Sequence, residues 1–329
     1  MATKANAFST VESIGDREQL SNMIYNLDPF DTPFMSAIGR GTGKGITFDW
    51  QVDALAAPAG NKKIEGEDKA AAAITPTDRL SNNMMISDKT ISVTGTQEVT
   101  DKAGRQSEMA YQLARKAKEL KTDMEFNFIG GHEAKVARTT SVAGVTASAT
   151  SFLSKNTSHG ATGAAPTSGT TNHDHADLTT VVAEGTNRPF TETLLQDMLQ
   201  GIYEKSGESP DMLLVSPTNK AIISNGFLGR ATTVDANVKD KTAQAVVDFY
   251  ISDFGSVRII PSRILSTGET NDFVLGIDTK QWSVDYLRNF NTIDLAKTGD
   301  TVRKNLLVEY GLRCNSELSS GAIYDVAPA

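Results

Sequence analysis

Several places in this 329-residue chain hold residue types capable of chemistry. Gly39-Arg40-Gly41-Thr42-Gly43-Lys44-Gly45 is glycine-rich enough to suggest a phosphate-cradling loop. That motif needs a glycine five residues before Gly43 and a Ser or Thr after Lys44; Ile38 and Gly45 stand there instead. The run reads as a flexible hinge. His173-Asp174-His175 offers imidazole and carboxylate to a divalent ion. It has no further ligands at fixed spacing and lies in a Thr/Ser-rich stretch, so a polar surface loop is the expectation. The other histidines, His132 and His159, stand alone. Cys314, the single cysteine, has no nearby histidine and reads as a small core residue. Glu65 with Glu67, and Glu208 with Asp211, fall in turns where carboxylates are ordinarily solvated. No nucleophile elbow, zincin helix, dinucleotide fingerprint or cysteine zinc motif occurs. The expected site list is therefore empty: no catalytic residue, no cofactor, no metal, and no enzyme.

The bulk properties agree. A net charge of −8 argues against broad phosphate gripping of nucleic acid. One cysteine excludes an intrachain disulfide framework and suits a reducing compartment. No apolar run approaches the roughly 18–20 residues that span a bilayer, and the first residues lack a secretory core. A soluble, intracellularly made protein is expected.

The elements around these residues are more telling. Ile46, Phe48, Trp50 and Val52 alternate with Thr47, Asp49, Gln51 and Asp53, the period of a half-buried strand. A second apolar run, Met84 to Val93, predicts a hairpin over Gly45 to Thr94 with a parity slip, hence a bulge, near Lys89. Such a ribbon is marginal alone, so a neighbouring subunit is expected to supply its packing surface. Before it runs an arm: a helical piece around Asp16 to Tyr25, then Leu27-Asp28-Pro29-Phe30-Asp31-Thr32-Pro33-Phe34, extended by its prolines. Phe30, Phe34 and Ile38 need a groove, on a neighbour or on their own domain.

Ala110, Leu113, Ala117, Leu120, Met124 and Phe128 mark one helix over about Gln97 to Ile129, closed by Gly130-Gly131. At 1.5 Å per residue it would run roughly 50 Å. Its basic cluster, Arg115, Lys116, Lys118 and Lys121, reads as a solvated face, with packaged DNA or an acidic neighbour as the alternative. Residues 139 to 188 are rich in Thr, Ser, Ala and Gly and are expected to bury little, forming a surface insertion with a short strand near Leu178 to Val182. From Arg188 an α/β unit follows. A helix spans Thr191 to Ser206, with Leu194, Leu195, Met198, Leu199 and Ile202 inward. Met212 to Val215 forms a doubly buried strand, and Pro217 opens a helix. Strands follow at Phe249–Ile251, Val257–Ile260, Phe273–Ile277 and Trp282–Tyr286. Asn289–Leu295 and Val302–Leu312 pair antiparallel across Lys297-Thr298-Gly299-Asp300, and Gly321–Val326 closes the chain.

In this order the elements resemble the major capsid protein of tailed bacteriophages, a fold shared with herpesvirus capsid floors and encapsulins. Local cues are Asp211-Met212-Leu213-Leu214-Val215-Ser216-Pro217, the pair Phe254 to Ser262 and Asp272 to Asp278, and Phe30-Asp31-Thr32-Pro33-Phe34. The resemblance implies an α+β fold. Residues 1–42 would be the N-terminal arm, 43–96 the extended loop, 97–138 the spine helix and 139–188 the insertion. Residues 189–285 would form the axial domain and 286–329 the returning strands of the peripheral domain. It further implies pentamers and hexamers closing into an icosahedral shell around double-stranded DNA, assembled in the host bacterial cytoplasm. The implied partners are a separate scaffolding protein, a portal protein, a decoration protein and DNA held without specificity, but no membrane. Some relatives cross-link a loop lysine to an asparagine; Lys62, Lys63 and Lys69 lie at the tip here, but no paired Asn and catalytic Glu can be identified. The competing readings are a tail or decoration component and, further off, a soluble α/β enzyme.

Overall fold

A computed structural model describes residues 32–66, 68, 71, 73–100, 104–169, 175–227, 249–266, 273–297 and 299–327. The elements in chain order begin with α1 (Pro33–Ala37), β1 (Gly39–Thr42), β2 (Thr47–Val52), β3 (Asp78–Asn83) and β4 (Met85–Thr94). Next come α2 (Gly95–Val99), α3 (Glu108–Glu125), which ends in a π-helical turn at Phe126–Gly130, α4 (Ala149–Phe152), β5 (Thr157–Ser158) and β6 (Arg188–Pro189). The α/β part holds α5 (Glu192–Ser206), β7 (Met212–Val215), α6 (Pro217–Gly226), β8 (Phe249–Ser252), β9 (Gly255–Pro261) and β10 (Val274–Ile277). β11 (Trp282–Asp294), β12 (Thr301–Cys314), β13 (Gly321–Ile323) and β14 (Val326–Ala327) complete the chain. Among the described residues the two larger sheets run β1-β11-β12-β4 and β5-β13-β10-β7-β9-β8, while β2 pairs with β3 and β6 with β14.

The expected turn near Lys297 joins β11 to β12 as an antiparallel pair, and β11 runs unbroken through two register shifts between Tyr286 and Asn291. The expected hairpin is corrected here. β2 returns through β3, not through Met84 to Val93; that later segment is β4, which pairs with β12 from Thr94↔Thr301 to Met85↔Tyr310 without a shift. There is accordingly no bulge at Lys89. Its side chain lies on the helix-facing side of β4, where Nζ pairs with Asp123 of α3 at 2.5 Å. An ion pair with the helix replaces the apolar residue that strict alternation would put there.

The single long helix is also corrected. α2 and α3 are separate, and the chain turns between them at Gly104, whose φ of +78° favours glycine. Ser107 caps α3, its hydroxyl accepting the N–H of Ala110 and donating to Glu98 of α2; the Glu98 carboxylate also accepts the N–H groups of Glu108 and Met109. α3 has 18 residues, about 27 Å at 1.5 Å each. Leu120, Met124 and Phe128 are buried as expected, with Leu113 and Ala117 packed beside them, while Met109 takes the inward place assigned to Ala110. Within the basic cluster Arg115 and Lys116 both pair with Glu119, and Lys121 lies over the Phe290 ring.

The end of the arm packs on its own chain. Phe34 is fully buried, edge-on to Phe128 and Trp282, and Ile38 is buried near it. The buried Glu125 carboxylate accepts the N–H groups of Phe34 and Met35 at 2.7 and 2.8 Å, satisfying the start of α1. Phe30 and the helix expected at Asp16 to Tyr25 lie outside the described residues. Gly39 to Thr42, expected to be a hinge, is an edge strand parallel to β11. A Cβ on Gly41 would sit 2.1 Å from an Asp285 oxygen, so the glycine permits that close approach.

In the six-stranded sheet, successive residues of β7 face two cores. Met212 and Leu214 join Leu275 and Ile277 on one side; Leu213 and Val215 join Leu199 and Ile202 of α5 on the other. This explains the uninterrupted apolar run. Ser216 caps α6 at the Asn219 N–H, with Pro217 in the first turn. β13 pairs with β10 in this sheet, so the chain's last strands do not all return to α3. The 139–188 segment buries far more than its composition promised. Ala147, Ala149, Phe152, Leu153, Ala176 and Leu178 enter the larger core. No strand forms at Leu178 to Val182; only an isolated bridge joins Ala183 to Ala164.

Candidate functional site

Of the described residues that might have done chemistry, His175 and Cys314 line one cleft, with Glu317 beside them. His173, Asp174, Glu67 and Lys69 lie outside the described residues. His175 is buried, with Nε2 3.5 Å from Asp78 and Nδ1 3.0 Å from the Ala176 carbonyl. Among the described residues no group of three His, Cys, Asp or Glu side chains could hold a metal, and no helix is long and apolar enough to cross a membrane. Cys314 is in the core, where burial pushes its thiol well above the ordinary range. Glu208 and Asp211 precede β7; their charges, after burial itself, push up the carboxyl of Asp278. Glu65, Lys62 and Lys63 are exposed at the ribbon tip.

The feature with functional geometry is the β2–β3 ribbon. Its base is anchored on its own subunit, contrary to the expectation that the chain supplies no surface for it. Phe48 is buried over Gly311 of β12, where a Cβ would stand 2.4 Å from the ring. Trp50 stacks on Phe48 at 5.7 Å and meets Phe152 at 6.3 Å. Asn82, wholly buried, uses its entire amide. Its Nδ2 donates to Thr146 Oγ1 and the Leu312 carbonyl, and its Oδ1 accepts the N–H groups of Asn83 and Ala147. This one side chain ties ribbon, insertion and four-stranded sheet together. Sequence reasoning passed over it because nothing distinguishes a buried asparagine from a turn asparagine. Beside the ribbon, Glu309 of β12 is gripped by Arg138 at 2.7 Å and Arg288 at 2.8 Å. Burial alone would raise its carboxyl; the two guanidinium groups outweigh that and hold it below the ordinary range.

Beyond the base the ribbon lets go. Every described residue from 53 to 77 is exposed, including Leu55 at 100%, Ile64 at 79% and Ile74 at 94%. Three large aliphatic side chains at that exposure on one projecting segment are a surface to be covered. A cleft of about 460 Å³, lined by Val52, Leu55, Phe152, His175, Leu178 and Leu318, opens where the tip leaves the body.

The anchoring carries a prediction. Trp50→Asp sets a carboxylate against Phe48 and Phe152 and is expected to destabilise the isolated chain itself, on the order of 3–5 kcal/mol. Urea unfolding of the unassembled protein measures this. An unchanged midpoint would mean that the indole does not pack on the body.

Comparison with known proteins adds to this geometry. A family model described as SU10 major capsid protein matches residues 2–327. The major capsid protein of Escherichia phage Phieco32 is 28% identical over an alignment of 351 positions, gaps included, that spans 97% of each chain. Among solved structures, the capsid of a native GTA particle superposes with a TM-score of 0.61 at 11% identity, over 97% of this chain and 98% of that one. A Gordonia phage Cozz chain gives 0.58 at 12% identity over 99% and 98%. The encapsulin of Synechococcus elongatus gives 0.59 at 9% identity over 95% and 94%. At these identities the structures speak to the shared fold.

Proposed function

The chain belongs to the SU10 major capsid protein family and forms the capsid of a tailed phage; we propose that it does so by lapping its ribbon tip over a neighbouring copy. In this reading the four-stranded sheet with α3 is the peripheral unit, and the six-stranded sheet with α5 and α6 is the axial unit. The residues before β1 act as the arm, and the β2–β3 ribbon with its tip acts as the extended loop. Copies close as pentamers and hexamers into an icosahedral shell around double-stranded DNA, in the cytoplasm of the host. A separate scaffolding protein sets curvature, a portal takes one vertex, and a decoration protein covers the outside. The role is structural rather than catalytic, and DNA is held without specific contacts, in keeping with the net charge of −8.

The observation that carries this reading is the contrast within the ribbon. A base fixed by Phe48, Trp50 and Asn82 gives the projection a defined direction, and the tip presents Leu55, Ile64 and Ile74 to solvent. An ordered lever with a bare end suits a contact that must reach another subunit. The test is size-exclusion chromatography with light scattering, followed by negative-stain microscopy, with and without the candidate scaffolding protein. Capsomers, tubes or closed shells are expected. A monomer under both conditions would overturn the proposal.

A further inference from the structure

Away from the ribbon, two histidines flank one tyrosine where three parts of the fold meet. His132 follows the end of the α3 helix at φ +44°, a left-handed conformation that histidine enters more readily than most side chains. Its ring lies 4.8 Å from Phe273, at the start of β10, and 6.3 Å from Tyr324, just after β13; Nδ1 is 3.0 Å from the Thr150 hydroxyl of α4. His159, just after β5, stacks on the other side of the cluster, 5.0 Å from Tyr324 with rings 14° apart. Both of its ring nitrogens are buried with no hydrogen-bond partner. The adjacent corner depends on Asp325: one carboxylate oxygen accepts the Gly160 N–H at 2.9 Å and the other the Gly185 N–H at 2.8 Å, while its carbonyl accepts the Arg188 N–H. One carboxylate thus pins both ends of the 160–185 loop.

We propose that this cluster is an acid-sensitive joint between the α3 helix, the 139–188 insertion and the six-stranded sheet, closed at neutral pH and loosened when its histidines take up protons. A protonated His159 carries two N–H donors where the neutral stack has no acceptor for them. The nearby carboxylate is that of Asp325, which already holds Gly160 and Gly185. Competition for it unpins the loop. A protonated His132 places a charge among Phe273, Tyr324 and Thr150, and its adjacent Glu133 is itself partly desolvated, with its carboxyl pushed up by burial.

The charged groups facing the joint give its pH window. Burial lowers His132 to about 4 from 6.5. Burial also lowers His159, with Asp325 opposing and Arg188 assisting. A histidine lowered on folding contributes stability that is complete above its free value near 6.5 and is lost as pH falls toward the folded value. The raised carboxyl of Glu133 works in the opposite sense, since protonating it relieves a desolvated charge. The Glu309 clamp, lowered below the ordinary carboxylate range, opens only at more acid pH than an ordinary carboxylate.

Hydrogen exchange with mass spectrometry, on the full-length unassembled chain between pH 7.5 and 4 and corrected for intrinsic exchange, tests this. Peptides covering 157–163 and 183–188 are expected to lose protection as pH falls through this window, while β11 and β12 stay protected. Changing His132→Asn and His159→Phe together is expected to move that loss to lower pH by about half a unit or more. His159→Phe alone keeps a flat ring on Tyr324 and should give part of the shift. It decides the matter if the double variant does not fold. No selective loss in the wild-type chain, or an unmoved midpoint in the variants, would overturn the proposal.

Discussion

Replacing residues 53–77 by Asn-Gly is expected to abolish closed shells while leaving the isolated subunit as stable as before. Val52 and Asp78 are register partners, so a two-residue turn closes the shortened ribbon without disturbing β2 or β3. Each described residue removed is exposed, and surface changes of that kind ordinarily stay within about 0.5 kcal/mol. Thermal unfolding and circular dichroism should match the parent, and microscopy should show capsomers or single subunits in place of shells. Normal shell yield from the shortened chain would rule out the lapping contact. A collapse in subunit stability would mean that the tip packs on its own body.

The second large effect belongs to the arm. Phe34→Ala empties a site walled by Phe128 and Trp282 and should destabilise the unassembled subunit by about 3–5 kcal/mol. An arm segment lying only on a neighbour would give a different result: intact subunit stability and impaired assembly. Urea denaturation below the concentration at which shells form separates the two. A change under about 1 kcal/mol would detach Phe34 from the core and restore the external reading.

The contrast between expected and observed arm shows what the sequence can carry. Phe34 is apolar in any reading, but its partners lie at positions 128 and 282, and no local pattern names them. The α/β unit was legible because its signals are local: apolar residues at helical spacing in α5, Ser216 ahead of Pro217, and a strand buried on both faces. β3 was invisible because Asp78-Arg79-Leu80-Ser81-Asn82-Asn83 has a single apolar residue. It is held by cross-strand pairing and by the amide of Asn82. Residues 145–153 lie in a stretch whose Thr, Ser, Ala and Gly content reads as a surface insertion, yet Ala147, Ala149, Phe152 and Leu153 enter the core. Ser148 and Ser151 there donate to the carbonyl of Glu133, so polarity does not keep them outside. The family was readable from the order of elements. The first strand of the ribbon was legible too, although its base rests on its own chain and its return strand is β3.

β4 lies at the edge of the four-stranded sheet with β12 as its one strand partner there, and β12 begins at Thr301. Translation at about 5–20 residues per second leaves β4 waiting roughly 10–40 s for that partner. An unpaired strand is a seed for aggregation. Asp88 and Lys89 interrupt its apolar run during that wait, as charged gatekeepers do. The lysine that broke the strand's alternation thus puts a charge in an apolar run while β4 is unpaired, and lies against Asp123 in the finished fold.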